Sequence, residues 1–461
     1  MLYIAPVPFL AQEQRLSGFS LRPVVRSRVY RPEWPDEVPA MLAGIPESLL
    51  PRGAGMAYGD AGLNDGRGAI DTRRLDRILA LDEGAATVTC EGGVPLRDLV
   101  ELGLRRGLFP AVTPGTWKST VGGCIACDVH GKNHHVAGSF LDHLLRLRLA
   151  LADGRVVECS RRENPDLFHA TAGGLGLTGV ILDATLRLQR VTSAWMRVRY
   201  VKNRDLDATF AALEHPEAEP YSVAWLDVLA RGARLGRSVL MLGAHAAPEE
   251  LPAPRRARPL DWSPGRSVRL PFAAPSGAMA PPLVRLFNAA YWARFPGHGA
   301  PRLEPLRTFF YPLDAIDNFS LLYGRRGLVE YQFVVPLRAA HAVLRTTVER
   351  LSRAGMGSFL CVVKRMGPGN AAPMSFPAEG VTIAVDVPFR GEPLLSMLRE
   401  LDQLVAREGG RVYLAKDSRL DPAVLDAMYP RRREWARLLE RLDPRRRLDS
   451  TLARRLHLRD A

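Results

Sequence analysis

Residues 52–59 read RGAGMAYG, residues 114–123 read PGTWKSTVGG, and residues 173–181 read GGLGLTGVI. These three glycine-rich segments decide the fold of the N-terminal part of the chain. Clustered glycines let backbone N–H groups approach a phosphate closely and adopt positive φ angles without penalty. Three such segments within the first 181 residues therefore predict a site for a large phosphorylated cofactor.

Two other phosphate-binding motifs are excluded by the sequence. No GxxxxGKS or GxxxxGKT string occurs, which rules out a P-loop. Residues 174–179 match GxGxxG, but a Rossmann fold needs a strand before this motif and a helix after it. Here the order is reversed, and no acidic residue lies about twenty positions further on.

The segments between the glycine loops alternate between strand and helix patterns. Apolar residues at helical spacing predict a helix over 96–104 that stops at Gly107. Short β-branched runs predict strands at 68–72 and 86–90. Further along, the patterns predict a strand over 145–151, a turn at 153–154, a returning strand over 155–159, a helix over 164–170 and a strand over 180–188.

The composition changes near residue 195, where the glycine loops end. Strand-like runs at 329–335 and 381–387 alternate with helical patterns up to about residue 410. Residues 251–301 are rich in Pro, Ala and Arg and predict a loop or mobile segment. The last fifty residues predict helices, with Trp435, Leu438, Leu439 and Leu442 on one face.

The overall composition is that of a folded globular protein. The chain has 461 residues, of which 47% are hydrophobic and 24% charged, which excludes wholesale disorder. No apolar run approaches the ~18 residues of a membrane helix, and residues 2–10 lack the charged region of a signal peptide. The five cysteines are too few and too unevenly spaced for a disulfide framework. A cytoplasmic location is expected.

The net charge of +14 suggests an anionic partner such as nucleic acid, a phosphorylated substrate or a membrane surface. Equally, the positive charge can reflect a general preference for arginine in this chain and need not indicate a specific partner, because only five of the 63 basic residues are lysine. The arginine runs at 431–433 and 445–447 lack the interleaved aromatic residues on which bases stack. Nucleic-acid binding is therefore disfavoured.

A cluster of cysteines and histidines raises the alternative of a zinc site. Cys124, Cys127, His130, His134 and His135 all lie within twelve residues. Zinc ribbons usually space their ligand pairs a dozen or more residues apart. Structural cysteines are favoured, and no metal site is predicted.

The motif order resembles the vanillyl-alcohol-oxidase type of flavoprotein, the PCMH-type FAD-binding family. In that family a glycine loop, a PGT…TVGG segment and a late GG strand wrap FAD. More narrowly, the chain resembles the family of decaprenylphosphoryl-β-D-ribose 2-oxidases, from near residue 15 to the C terminus. The string HGKNHH is the most specific part of the resemblance. The resembling stretches are 126–139 (ACDVHGKNHHVAGS), 310–314 (FYPLD), 331–333 (YQF), 359–368, 373–377 (PMSFP) and 414–419 (LAKDSR).

The resemblance implies an α+β, two-domain architecture. A PCMH-type FAD-binding domain would comprise residues 1–193 together with a C-terminal return, 411–461. Residues 194–410 would form a substrate domain, an antiparallel sheet with helices. This division agrees with the change in composition near residue 195.

The resemblance also implies a set of residues around FAD. Many family members tether FAD through a histidine near the first glycine loop, where this chain has Tyr58, so a noncovalent FAD is expected. The implied cofactor-binding residues are Arg52, Gly53, Ala54, Gly55, Met56, Ala57, Tyr58, Gly59, Gly115, Thr116, Thr120, Val121, Gly122, Gly123, Cys127, Asp128, His130, Ile181 and Tyr413.

Two residues are implied to be catalytic. Lys416 would place a fixed positive charge beside the flavin and polarise the reacting hydroxyl. His130 would accept the hydroxyl proton. The implied substrate-binding residues are Lys132, Trp225, Tyr311, Gln332 and Lys364. Thr382 and Ala384 depart from the mycobacterial pattern, which has asparagine and cysteine there.

The function implied by the resemblance is FAD-dependent oxidation of the 2-hydroxyl of a polyprenylphosphoryl-β-D-ribose to a 2-keto sugar. A separate keto-reductase would complete the epimerisation to the arabinose lipid. The alternative is a soluble sugar, alditol or aldonolactone oxidase of the same superfamily. Within 251–301, arginines flank apolar groups at 270–272, 283–287 and 291–292. This segment is therefore expected to meet a lipid tail at the inner face of the plasma membrane.

Overall fold

The computed structural model describes residues 9–214, 219–295 and 299–460. Three sheets organise the chain, and they follow one another in sequence. Among the described residues, no helix combines the length and the apolar character needed to cross a membrane.

Sheet one carries the first glycine-rich segment. Strands β1 and β2 pair antiparallel, whereas β2 and β3 both run parallel to β4, in the order β1-β2-β4-β3. Its elements are β1 (Gln12–Ser17), β2 (Val24–Tyr30), α1 (Glu37–Gly44), β3 (Leu49–Arg52) and β4 (Gly68–Asp71). Residues 53–59 leave the end of β3, so the strand fixes where the glycine-rich loop starts.

Sheet two is antiparallel and carries the other two glycine-rich segments, with strand order β5-β6-β10-β8-β9 and with β7 pairing β10. Its strands are β5 (Ile78–Asp82), β6 (Thr87–Glu91), β7 (Leu108–Pro110), β8 (Leu144–Ala150), β9 (Val156–Ser160) and β10 (Val180–Arg190). Its helices are α2 (Leu96–Leu104), α3 (Val121–Ala126), α4 (His134–Ala137), α5 (Phe140–His143) and α6 (Pro165–Thr171).

Sheet three is antiparallel and has the order β14-β11-β13-β12-β16-β17-β15-β18. Its strands are β11 (Trp195–Asn203), β12 (Tyr221–Leu226), β13 (Ser238–His245), β14 (Arg302–Pro305), β15 (Leu328–Val335), β16 (Cys361–Met366), β17 (Gly380–Pro388) and β18 (Arg411–Val412). The helices of this part are α7 (Leu206–Leu213), α8 (Ala253–Arg256), α9 (Pro281–Ala293), α10 (Leu306–Phe310), α11 (Leu337–Arg353) and α12 (Glu392–Arg407). Three more helices follow, α13 (Leu425–Met428), α14 (Arg432–Leu442) and α15 (Thr451–Arg455).

The two faces of sheet three differ in chemistry because side chains alternate along a strand. On β15, Val329, Tyr331 and Phe333 join a large hydrophobic core with residues of α11 and α12. The intervening Glu330 and Gln332 point to the opposite face, where they line a cavity. The helix-covered face therefore stabilises the sheet, and the other face is left for polar side chains.

Most predicted elements are confirmed within a few residues. The helix predicted over 96–104 is α2, and Gly103 inside it is required by packing, because a Cβ there would lie 2.7 Å from the carbonyl oxygen of Leu108. The strands predicted at 68–72, 329–335 and 381–387 are β4, β15 and β17. The mixed α+β class is confirmed as well.

The prediction of a loop or mobile segment over 251–301 is wrong where helices α8 and α9 form; residues 296–298 of the segment lie outside the described residues. Residues 281–293 form α9, which begins with two prolines. Proline is tolerated in the first turn of a helix because its missing N–H has no helical partner there, so the prolines mark a helix start. The domain limits at residues 193 and 411 remain a prediction.

Candidate active site

A single cavity of about 640 Å³ joins the glycine loops of sheets one and two to the polar face of sheet three. One end is lined by backbone-rich segments, namely 51–58, 113–116 and 175–176. The other end is lined by side chains of β12, β15, β16 and β17, together with α9. One wall of the site therefore offers backbone groups of the kind that bind phosphate, and the other offers titratable and aromatic side chains.

The first glycine loop presents free backbone donors to the cavity. Within the described chain, the amide groups of residues 54–57 donate to no backbone or side-chain acceptor. Gly55 has φ +69°, and a Cβ there would collide with the guanidinium of Arg52. That guanidinium donates to the carbonyl oxygens of Ser17 at 2.8 Å and Gly62 at 2.6 Å, which holds the loop in place. Such an array of N–H groups suits a pyrophosphate.

The second glycine segment is fixed by Asp314 from the sheet-three part of the chain. Its carboxylate accepts hydrogen bonds from the Thr116 hydroxyl at 2.7 Å and from the Trp117 amide at 2.8 Å. Gly122 lies so close to the backbone that a Cβ would be 2.9 Å from the carbonyl oxygen of Gly92. The two parts of the chain are therefore joined directly at the cofactor end of the cavity.

Sixteen of the nineteen predicted cofactor-binding residues line the cavity, as do Lys416 and four of the five predicted substrate-binding residues. Four predicted residues, Gly59, Val121, Asp128 and Tyr311, lie outside the cavity lining. Gly59 packs against the backbone of Asp417, and Val121 is buried in the core of sheet two.

Asp128 and Tyr311 are engaged in buried hydrogen bonds instead. The Asp128 carboxylate accepts hydrogen bonds from the Leu141 amide at 2.9 Å and the Ser375 hydroxyl at 2.5 Å. The Tyr311 hydroxyl lies 2.8 Å from the hydroxyl of Thr113. These residues support the wall of the site, a role that sequence motifs do not distinguish from direct contact.

His130 is enclosed by two side chains of sheet three. Its Nδ1 is 2.7 Å from the Lys364 ammonium, and its Nε2 is 3.1 Å from the side-chain amide of Gln332. Burial and the nearby charge of Lys364 hold the pKa of His130 well below its ordinary value. His130 is therefore a neutral imidazole at physiological pH.

Lys364 is itself strongly perturbed. Burial and the positive charges of Lys132 and Lys416 lower the pKa of Lys364 to about 7. Its ammonium also donates to the Gly131 carbonyl at 2.9 Å. Burial likewise lowers the pKa of Lys132 to about 7, and the Lys132 ammonium lies 4.3 Å from the Phe309 ring centre. Titratable groups with such shifted pKa values are typical of functional sites.

Lys416 lies between an acid and an aromatic ring. Its ammonium donates to the Glu330 carboxylate at 2.7 Å and lies 3.7 Å from the centre of the Tyr58 ring. Directly across from Glu330 in the β15–β17 pair is Asp386, which is 1% exposed. Burial and the charge of Glu330 raise the pKa of Asp386 well above its ordinary value.

The sequence analysis missed several residues that line the substrate end of the cavity. Glu330 and Asp386 sit in strands whose alternating pattern could have placed them on the face of Gln332. The rings of Tyr291 and Trp225 pack at a tilt of 55° with their centres 4.6 Å apart. The Trp225 indole donates to the Phe359 carbonyl at 2.8 Å. Tyr291 lies in α9, whose helical character was not predicted.

The comparisons with known proteins agree with this geometry. Residues 27–160 match the FAD binding domain family model. The decaprenylphosphoryl-beta-D-ribose oxidase of Mycolicibacterium smegmatis is 38% identical over 413 residues, covering 89% of both chains. The chain belongs to the decaprenylphosphoryl-β-D-ribose oxidase family.

Other relatives match less of the chain. An uncharacterised protein of Streptomyces coelicolor is 39% identical over 79% of this chain and all of its own length. L-gulonolactone oxidase 5 of Arabidopsis thaliana is 31% identical, but over only 35% of this chain and 28% of its own. The predicted FAD cofactor, the PCMH-type fold and the oxidoreductase class are confirmed for this family member.

Proposed function

We propose that this enzyme oxidises the 2-hydroxyl of a polyprenylphosphoryl-β-D-ribose to the 2-keto sugar. The observation that carries the proposal is one cavity that joins an array of phosphate-binding amides to a wall bearing Lys416, His130, Lys364 and Gln332. This arrangement sits in a chain similar over 89% of its length to a decaprenylphosphoryl-ribose oxidase.

The amides of residues 54–57 and the glycines of the second segment would hold the FAD pyrophosphate. When bound, FAD supplies the acceptor for the hydride that leaves the carbon of the reacting alcohol. Lys416 polarises the hydroxyl oxygen and stabilises negative charge that develops on it. Lys364 and Gln332 fix the ring of His130, which positions the imidazole against the sugar.

The far end of the cavity has the chemistry of a lipid phosphate site. Lys132, Arg294 and Arg302 line it and supply cations for a phosphate. Arg302 lies 4.6 Å from the ring centre of Tyr200, which orients its guanidinium. The aromatic side chains of Trp225 and Tyr291, which lie close by, would cover the first isoprene units.

An exposed apolar surface continues outward from this end. On α9, Leu283, Leu286 and Phe287 are 54%, 67% and 48% exposed, and Phe287 also lines the cavity. The preceding segment adds exposed Val268 and Phe272, with Arg266 and Arg269 beside them. We propose that this surface, which we call the α9 surface, docks on an anionic membrane while the prenyl tail enters the cavity.

Liposome flotation tests the α9 surface. Wild-type protein should float with vesicles that contain anionic lipid, and a Leu283→Ser/Leu286→Ser variant should stay at the bottom of the gradient. Leu79→Ser is the matched control, because Leu79 is 49% exposed on β5 and distant in sequence. Equal flotation of both variants would contradict membrane docking through α9.

The reaction is tested by anaerobic bleaching of the flavin absorption near ~450 nm, because hydride transfer reduces the cofactor directly. A short-chain polyprenylphosphoryl-β-D-ribose should bleach the enzyme, and the isolated product should be the 2-keto sugar. Bleaching by free alditols or aldonolactones and not by the lipid-linked sugar would favour the alternative oxidase. A separate keto-reductase would be required to convert the 2-keto product onward, and we propose that the enzyme acts at the inner membrane face.

A further inference from the structure

The polar face of sheet three holds a pair of acidic side chains, Glu330 and Asp386, beside Lys416. Glu330 on β15 and Asp386 on β17 are register partners in an antiparallel ladder, and both line the cavity. Directly opposed residues have Cβ atoms about 5 Å apart, and two like charges there are destabilising. Glu330 is 8% and Asp386 1% exposed, so water screens neither well.

The surroundings of the pair favour a single negative charge, which lies on Glu330. The Lys416 ammonium donates to the Glu330 carboxylate at 2.7 Å, whereas the Asp386 carboxyl group accepts a hydrogen bond from the uncharged Tyr323 hydroxyl at 3.3 Å. Two carboxyl groups that share a site ionise in separate steps, because the first charge opposes the second. Asp386 is therefore the protonated partner, and Glu330 is a carboxylate held in the cavity wall.

We propose that Glu330 is the proton acceptor for the oxidised hydroxyl and that Asp386 and Lys416 keep it ionised and in position. This inference rests on the proposed alcohol oxidation. The O–H bond of the substrate breaks and its proton bonds to the Glu330 carboxylate, while the hydrogen on the adjacent carbon leaves with its electron pair as hydride to FAD. Once Glu330 is neutral, Lys416 is free to stabilise the negative charge that arrives with the hydride.

The other candidates in the cavity are less suited to take this proton. Both ring nitrogens of His130 are occupied, one by the Lys364 ammonium and one by Gln332. A second positive charge beside Lys364 would be costly in this buried site. An ammonium that donates to Glu330, as Lys416 does, has no lone pair to offer. Glu330 thus replaces His130 as the base expected from the sequence.

The first experiment compares rates of flavin bleaching by the substrate that reduces the wild type. Glu330→Gln keeps the shape of the side chain and should lower the rate by about 100- to 10,000-fold while FAD stays bound. Glu330→Asp should recover part of the rate. Glu379→Gln is the control, because Glu379 is exposed in the loop before β17. A wild-type rate in Glu330→Gln would overturn the proposal.

The second experiment needs no turnover and so separates this inference from the proposed function. Infrared spectra of the resting protein at neutral pH should show a protonated carboxylic acid band that disappears in Asp386→Asn and persists in Glu379→Gln. If no band depends on Asp386, then Asp386 is not the protonated partner of Glu330, and the proposal fails even if the riboside is oxidised. If the wild type is not reduced by the riboside but the band is present, the proposed substrate is wrong and the acid pair stands.

Discussion

Replacing Lys416 with alanine separates the chemistry of the site from cofactor binding. The ammonium lies 2.7 Å from Glu330, with side-chain exposures of 23% and 8%. At an effective dielectric constant of about 20, the attraction at that distance is about 6 kcal/mol, and desolvation of the two groups offsets most of it. The variant leaves Glu330 buried beside Asp386 without its cation, so the free energy of unfolding should fall by about 3 kcal/mol.

The same change should slow the reaction without releasing FAD. Loss of one preorganised electrostatic donor lowers a rate by about 100- to 1000-fold. The glycine-loop amides that would hold FAD are untouched, so the protein should stay yellow. The assay is anaerobic bleaching near ~450 nm, with urea unfolding for stability and Lys202→Ala as the control. Lys202 lies on β11 outside the cavity, 3.5 Å from the Trp292 ring centre.

The double variant Lys416→Ala/Glu330→Gln tests the reason for the loss of stability. Removing the unpaired carboxylate should restore most of the unfolding free energy, whereas the rate should remain low. A wild-type bleaching rate in Lys416→Ala would refute its electrostatic role. Unchanged stability in that variant would refute the importance of the buried ion pair.

Three other predictions follow from the cavity. Gly55→Val should abolish FAD binding, measured by flavin fluorescence, because a side chain at φ +69° collides with Arg52. Acid precipitation of the native protein should release all flavin into the supernatant, since Tyr58 stands near the usual tethering position; flavin in the pellet would show a covalent link. Lys364 has a folded pKa of about 7, so the unfolded chain binds more protons between pH ~7 and ~10.5 and stability should rise with pH there. Lys364→Met should flatten that rise in urea unfolding.

Local sequence patterns were enough to predict the class of cofactor and most of the helices and strands. Each glycine-rich segment is contiguous and has its own backbone requirement, so a phosphorylated cofactor could be predicted without tertiary contacts. The HGKNHH string carried the family resemblance that implied FAD. Strands such as β15 and β17 were predicted because their apolar alternation is local. Lys416 and Lys364 could be singled out because lysine is rare in this chain.

Which polar groups act together depends on contacts that form in the folded structure. Glu330 and Asp386 are 56 residues apart, and strand register makes them neighbours. Lys416 reaches Glu330 because β18 pairs with β15. Asp128 and Tyr311 match family motifs but point into buried hydrogen-bond networks, a direction set by packing. The helix that carries the α9 surface was not predicted, because the two prolines at its start suggested a loop in the sequence but begin a helix in the fold. Side-chain direction and partner choice depend on contacts between distant segments, and a linear pattern does not contain them.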